Sequence, residues 1–121
     1  MSDQIKRILV TGSREWTDAG VIRAVIRHEV MRLPTAIVVH GAARGADLMA
    51  GAAARALGLT EERYLAQWTT LGRGAGIIRN MEMIARGADV CLAFIKDNSP
   101  GATHCARMAE QARIPVKRWT A

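Results

Sequence analysis

Short, almost wholly apolar runs alternate with helix-length segments along the whole chain, and few folds accommodate that alternation. Ile8-Leu9-Val10, Ile37-Val38-Val39 and the run from Val90 to Ile95 read as strands, the second as one covered on both faces and the last as very apolar. The strands are placed at residues 5–11, 36–40, 62–66, 89–95 and 116–119, the third of them weak and suited to a sheet edge. Val21, Ile22, Val25, Ile26, Val30 and Leu33 mark one face of a first helix, with Thr17 and Asp18 as candidate caps and Pro34 as its stop. An Ala-rich second helix spans 46–57, with Leu48, Met49, Ala52 and Leu57 turned inward and Gly58 ending it. The third, over 74–86, carries Ile77, Ile78, Met81, Ile84 and Ala85 at helical spacing, and the fourth covers 102–113.

Strands separated by helices of this length need right-handed crossovers, which give a parallel sheet. The expected fold class is therefore α/β: one Rossmann-like, doubly wound domain over residues 1–121. Its five-stranded, mostly parallel sheet would run in the order 3-2-1-4-5, flanked by about four helices.

In such a sheet the loops at the carboxyl ends of the strands gather at one edge, where ligands bind. Four loops of this chain fit that edge. They are Thr11-Gly12-Ser13-Arg14, Gly41-Ala42-Ala43-Arg44-Gly45-Ala46-Asp47, the Gly-rich stretch from Gly72 into Arg79-Asn80, and Asn98-Ser99-Pro100-Gly101-Ala102-Thr103. Glycine at a strand end admits close backbone approach, and a following helix start offers N–H groups and partial positive charge to a phosphate. Arg14, Arg44 and Arg79 can add charge-assisted hydrogen bonds, while Ser13, Ser99 and Thr103 add hydroxyls. Glycines that merely make tight turns explain any single loop equally well. The Gly41–Asp47 loop taken with Arg79-Asn80 favours a ligand site. Asp47 would repel a phosphate, so it either caps its helix or meets ribose hydroxyls. Trp16 and Trp68 stand where a ring either stacks on a base or anchors the core.

Other chemistries find little support. The first loop lacks G-x-G-x-x-G, and neither a P-loop nor a G-x-S-x-G elbow occurs. Cys91 lies in an apolar strand and Cys105 on a helix, as small core residues do. His28, His40 and His104 show no zinc-ligand spacing, so neither a metal nor a cofactor is expected. No apolar run reaches membrane-span length, and residues 1–7 are polar without an apolar segment behind them, which points to a cytoplasmic protein away from membranes. A net charge of +6 suits an anionic partner, nucleic acid included, but only 4% of residues are aromatic, which leaves little for stacking single-stranded bases.

Together these motifs resemble the SLOG superfamily, which groups Lonely Guy-type phosphoribohydrolases, the DNA-processing protein DprA and YpsA-like proteins. The resemblance is greatest to the YpsA-related branch common in actinobacteria and their phages. It is carried by Ile8-Leu9-Val10-Thr11-Gly12-Ser13-Arg14-Glu15-Trp16, His40-Gly41-Ala42-Ala43-Arg44-Gly45-Ala46-Asp47, Ile78-Arg79-Asn80-x-x-Met83 and Ser99-Pro100-Gly101-Ala102-Thr103-His104. The resemblance implies nucleotide or nucleotide-derived ligands at the strand edge, and a homodimer. Lonely Guy-type enzymes carry P-G-G-x-G-T-x-x-E, whose Glu works with a helical Arg on the N-glycosidic bond. Arg79 is the counterpart of that Arg and the one catalytic candidate, but Cys105 falls where the Glu would be, and a thiol does not replace a carboxylate there.

The expected function is binding of an ADP-ribose-like ligand or nucleoside monophosphate, in nucleotide sensing or signalling. Gly12, Ser13, Arg44, Gly45, Ser99 and Gly101 would hold phosphate, with Arg14, Gly41, Pro100 and Thr103 also at the ligand. Arg79, Asn80 and Asp47 would fix ribose or base. The alternatives are a Lonely Guy-type hydrolase and a single-stranded nucleic-acid binder.

Overall fold

The computed structural model describes residues 6–121. Residue 5 of the first expected strand, and residues 1–5 of the expected domain, lie outside the described residues. Five strands, β1 (Arg7–Gly12), β2 (Ile37–His40), β3 (Thr60–Arg63), β4 (Val90–Ile95) and β5 (Val116–Thr120), form one sheet in the order β3-β2-β1-β4-β5. Every pairing is parallel. The expected doubly wound order is the observed one.

Period-two alternation sends Ile8 and Val10 to one face of the sheet and Leu9 to the other. Helices α1 (Ala19–Arg32) and α2 (Ala46–Ala56) cover the first face, and α4 (Ala75–Ala85) and α5 (Pro100–Gln111) the second. A short helix α3 (Trp68–Leu71) and a 3-10 turn (Gly72–Gly74) lead into α4. The first face is centred on Phe94, which meets Trp16 edge-on at 5.5 Å between ring centroids and stacks on Trp119 at 5.1 Å. Trp16 is thus a core anchor, and its indole N–H donates to the Asp18 carbonyl at 2.9 Å. No helix among the described residues is long and apolar enough to cross a membrane.

Most local signals act as expected. Asp18 caps α1 by accepting the Val21 N–H at 3.1 Å. Pro100 takes the first position of α5 behind Ser99, two residues earlier than expected, because its fixed φ suits that position.

Four features differ from the sequence reading. β3 begins at Thr60 rather than at 62, because charges and not apolar burial fasten it: Glu62 accepts from Arg7 at 2.9 Å and from Tyr64 at 2.7 Å. In α2 Met49, and Leu57 at its end, pack on the core as expected, but the buried face is Ala46, Ala50, Ala53 and Ala54, which lets the helix approach closely, while Leu48 and Ala52 face outward. In α4 Ile84 packs on the core as expected, but Ile77, Ile78, Met81 and Ala85 are exposed, and Ala75, Arg79, Asn80 and Met83 are buried instead. Finally, α3 has no counterpart in the sequence reading, since four residues cannot display a helical period.

Candidate functional site

Because all five strands are parallel, the loops after β1, β2 and β4 converge, and a cleft of about 740 Å³ opens among them against α4. That volume lies within the usual range of small-molecule sites, roughly 300–1,000 Å³. Gly12, Ser13, Arg14, Asp47, Arg79, Asn80, Ser99, Pro100 and Gly101 line it. A smaller chamber of about 490 Å³ adjoins it and is lined by Arg14, Gly41, Arg44 and Arg79 among others. Gly45 and Thr103 line neither. Gly45 is the residue before α2, and Thr103 lies one turn into α5, where its N–H meets the Ser99 carbonyl at 3.1 Å.

Arg79 is the centre of the floor. It is 9% exposed, and its Nη1 donates to the Gly41 carbonyl at the end of β2 while its Nε donates to Asn80 Oδ1 at 2.7 Å. The guanidinium occupies the space a side chain at position 41 would need: a Cβ there would lie 2.6 Å from Arg79 Cζ. The loop after β2 is held from three sides. Asp47 Oδ2 accepts the Gly41 N–H at 3.1 Å and the Ala43 N–H at 3.4 Å. The Ala42 N–H goes to His40 Nδ1 at 2.9 Å. These three amides are satisfied within the protein, so the loop meets the cleft through side chains rather than through those N–H groups.

His40 is fully buried, and because Nδ1 accepts, its proton sits on Nε2 and is donated to Glu61 Oε2 at 2.6 Å. Burial alone would raise the Glu61 carboxyl, but hydrogen bonds from His40, Arg55 and Arg63 pull it down to about 2. Asp47 behaves in the opposite sense. Burial pushes its carboxyl above the usual range, and nearby positive charge offsets only part of that rise. Its Oδ1 has no hydrogen-bond partner among the described residues, and since no fully buried side-chain oxygen there lacks a partner, that atom faces the cleft.

Opposite this floor, Ser13 Oγ accepts the Lys96 N–H at 2.8 Å and contacts Ser99 Oγ, which ties the loop after β1 to the loop after β4. Arg44 pairs with Glu15 at 2.6 Å at the solvent-exposed rim. Cys105 is completely buried, and burial raises its thiol, so it is a core residue on α5. Cys91 is likewise buried and raised by burial.

Lining residues not named individually in the sequence include Arg73 and Gly76, which lie within the Gly-rich stretch from Gly72, and Lys96. Lys96 directly follows β4, and that position at the carboxyl end of a strand was the available signal. Arg73 reaches the cleft from the 3-10 turn that follows α3, and Gly76 from the first turn of α4. Trp68, ambiguous in sequence, stands in the wall of both chambers, with the Arg14 guanidinium 5.6 Å from its ring centroid.

The fold and the cleft define a Rossmann-like domain with a cation-bearing site at the carboxyl edge of its sheet. A family profile for the YspA, cpYpsA-related SLOG family matches residues 6–70. The chain is also 43% identical over 118 residues to the Gene 61 protein of Mycobacterium phage D29, an alignment covering 93% of this chain and 94% of that relative. The chain belongs to the YspA, cpYpsA-related SLOG family. No solved structure matches it.

Proposed function

We propose that this protein binds a nucleotide or nucleotide-derived ligand, either ADP-ribose-like or a nucleoside monophosphate, and serves nucleotide sensing or signalling. Family membership suggests a nucleotide-related ligand. The observation that carries the reading is the cleft itself, where buried Arg79 and Asn80 form the floor and Lys96, Arg73 and the Ser99 hydroxyl offer anion-binding groups around it. A phosphate sits best on the Ser13–Ser99 side, away from the Asp47 carboxyl. Ribose hydroxyls suit Asp47 Oδ1, a free acceptor, and Asn80. The test is a thermal-shift panel of ADP-ribose, its cyclic forms, NAD and nucleoside monophosphates, followed by mass spectrometry of the recovered ligands. Ligand at 100 times its dissociation constant adds about 2.7 kcal/mol, a shift of several degrees for a domain this size.

One observation favours a second reading, hydrolysis of a nucleotide's N-glycosidic bond. Asp47 places a carboxyl, raised by burial, in the same cleft as Arg79, the charge type and proton-handling group that Cys105 cannot supply. Release of free base from a monophosphate, lost in Asp47→Asn, would establish it.

The proposal includes a homodimer. Six large hydrophobic residues between 65 and 81 are exposed, and Leu71, Ile78 and Met81 among them line neither chamber. Exposed apolar residues concentrated in one segment in this way suit an interaction site.

A further inference from the structure

We infer that Trp68 is the platform on which the ligand's base stacks, so the site selects base-bearing ligands over bare sugar phosphates. The inference rests on the nucleotide reading above and adds to it a residue and a recognition element.

The three tryptophans divide sharply. Trp16 is 5% exposed and packs edge-on against Phe94, and Trp119 stacks on the same ring. Trp68 is 48% exposed and sits in α3, a helix that buries none of its residues. Its indole N–H has no partner among the described residues, unlike that of Trp16. A large aromatic side chain held out of the core in this way contributes little to folding.

Its position is nonetheless fixed. The ring lies against α4 where Gly76 has no side chain; a Cβ there would come within 3.3 Å of Trp68 Cη2. The ring forms a wall common to both chambers. The Arg14 guanidinium lies over the ring, and among the described residues Arg14 forms no salt bridge. An exposed cation–π contact is weaker than a base–aromatic stack, so a base can take the place of Arg14 on the ring. Arg73, Arg79 and Lys96 line the same cleft and suit the anionic group such a base would carry.

The experiment is calorimetric titration of wild type, Trp68→Phe and Trp68→Ala with the four common nucleoside 5′-monophosphates, ADP-ribose and ribose 5-phosphate, with tryptophan fluorescence followed in parallel. Wild type should bind at least one base-bearing ligand roughly 5- to 150-fold more tightly than ribose 5-phosphate, the range that one stacked base provides. Trp68→Ala should erase that margin by weakening the base-bearing ligands far more than ribose 5-phosphate. Trp68→Phe should keep most of the margin yet lose the fluorescence quenching that wild type shows, and retained binding with lost quenching is a combination that loss of structure does not produce. Equal affinity of wild type and Trp68→Ala for every base-bearing ligand overturns the stacking role and leaves the nucleotide reading standing. Failure of wild type to bind any of these ligands overturns both.

Discussion

The Arg79 guanidinium on α4 donates to the backbone carbonyl of Gly41, 38 residues earlier in the chain, and so ties the second face of the sheet to the loop that ends β2. A buried cation whose Nη1 is held by the Gly41 and Tyr64 carbonyls and whose Nε is held by the Asn80 amide oxygen keeps its Nη2 available to a ligand. Replacing Arg79 by Ala should weaken nucleotide binding by about 1.5–3 kcal/mol, the scale of a hydrogen bond to a charged group. Calorimetry on the folded variant checks this, with Arg79→Lys falling between because a lysine lacks the planar fork.

Gly12 is required by close packing at the mouth of the cleft. A Cβ there would lie 2.8 Å from the Phe94 carbonyl oxygen and 3.2 Å from Phe94 Cβ, and it would also collide with Ala46. Backbone and core on three elements cannot all give way, so Gly12→Ala should cost about 3 kcal/mol, read from denaturant unfolding.

The His40–Glu61 pair predicts a pH signature. The Glu61 carboxyl is lowered from its ordinary 4.5 to about 2 in the folded chain. The unfolded chain therefore takes up that proton first as pH falls, and the stabilisation is complete above about 4.5 and lost on the way down to about 2. Glu61→Gln should be less stable than wild type at pH 7 by about 1–2 kcal/mol, with the difference shrinking below pH 4.5. Thermal unfolding of both proteins across that range measures it.

Glu29 is 1% exposed on α1 and is held by Lys117 of β5 at 2.6 Å and Arg32 at 2.7 Å. Removing one partner of a buried carboxylate costs more than breaking a surface pair. Lys117→Ala should therefore destabilise the fold by about 1–2 kcal/mol, reduced from the fully buried case because the lysine itself is half exposed. Arg118→Ala, whose partner Glu110 is exposed, should cost less in the same denaturant titration.

The exposed apolar residues of α4 bear on oligomeric state. If the protein pairs through that face, Ile78→Asp with Met81→Asp should convert a dimer to a monomer in sedimentation velocity while the fold is retained. A wild-type monomer at micromolar concentration would remove the homodimer assignment.

The strand pattern made the sheet legible because β2 and β4 are buried on both faces and carry nearly unbroken apolar runs. What hydropathy misplaced was governed by something else. β3 is a strand of Thr, Glu, Glu and Arg fastened by ion pairs, so its apolar signal pointed further on, toward Tyr64 and Leu65. The inward face of α2 consists of alanines whose small size, not their hydrophobicity, fits them to close packing. In α4 the polar Arg79 and Asn80 turn inward because the cleft lies there, and Ile77, Ile78 and Met81 are left outside while Ile84 still packs on the core; a periodicity count cannot resolve that rotation. Site residues at strand ends were accessible from sequence. Trp68 and Arg73 reach the cleft through a short helix and turn with no periodic signal of their own.

The most direct test of a nucleotide site at the sheet edge is titration of wild type and Arg79→Ala with ADP-ribose and the nucleoside monophosphates, with the ligands recovered and weighed afterwards. The account predicts saturable binding of at least one of these to wild type and a loss of roughly 10- to 150-fold in Arg79→Ala. Equal affinity for both proteins, or no binding to wild type, would contradict it.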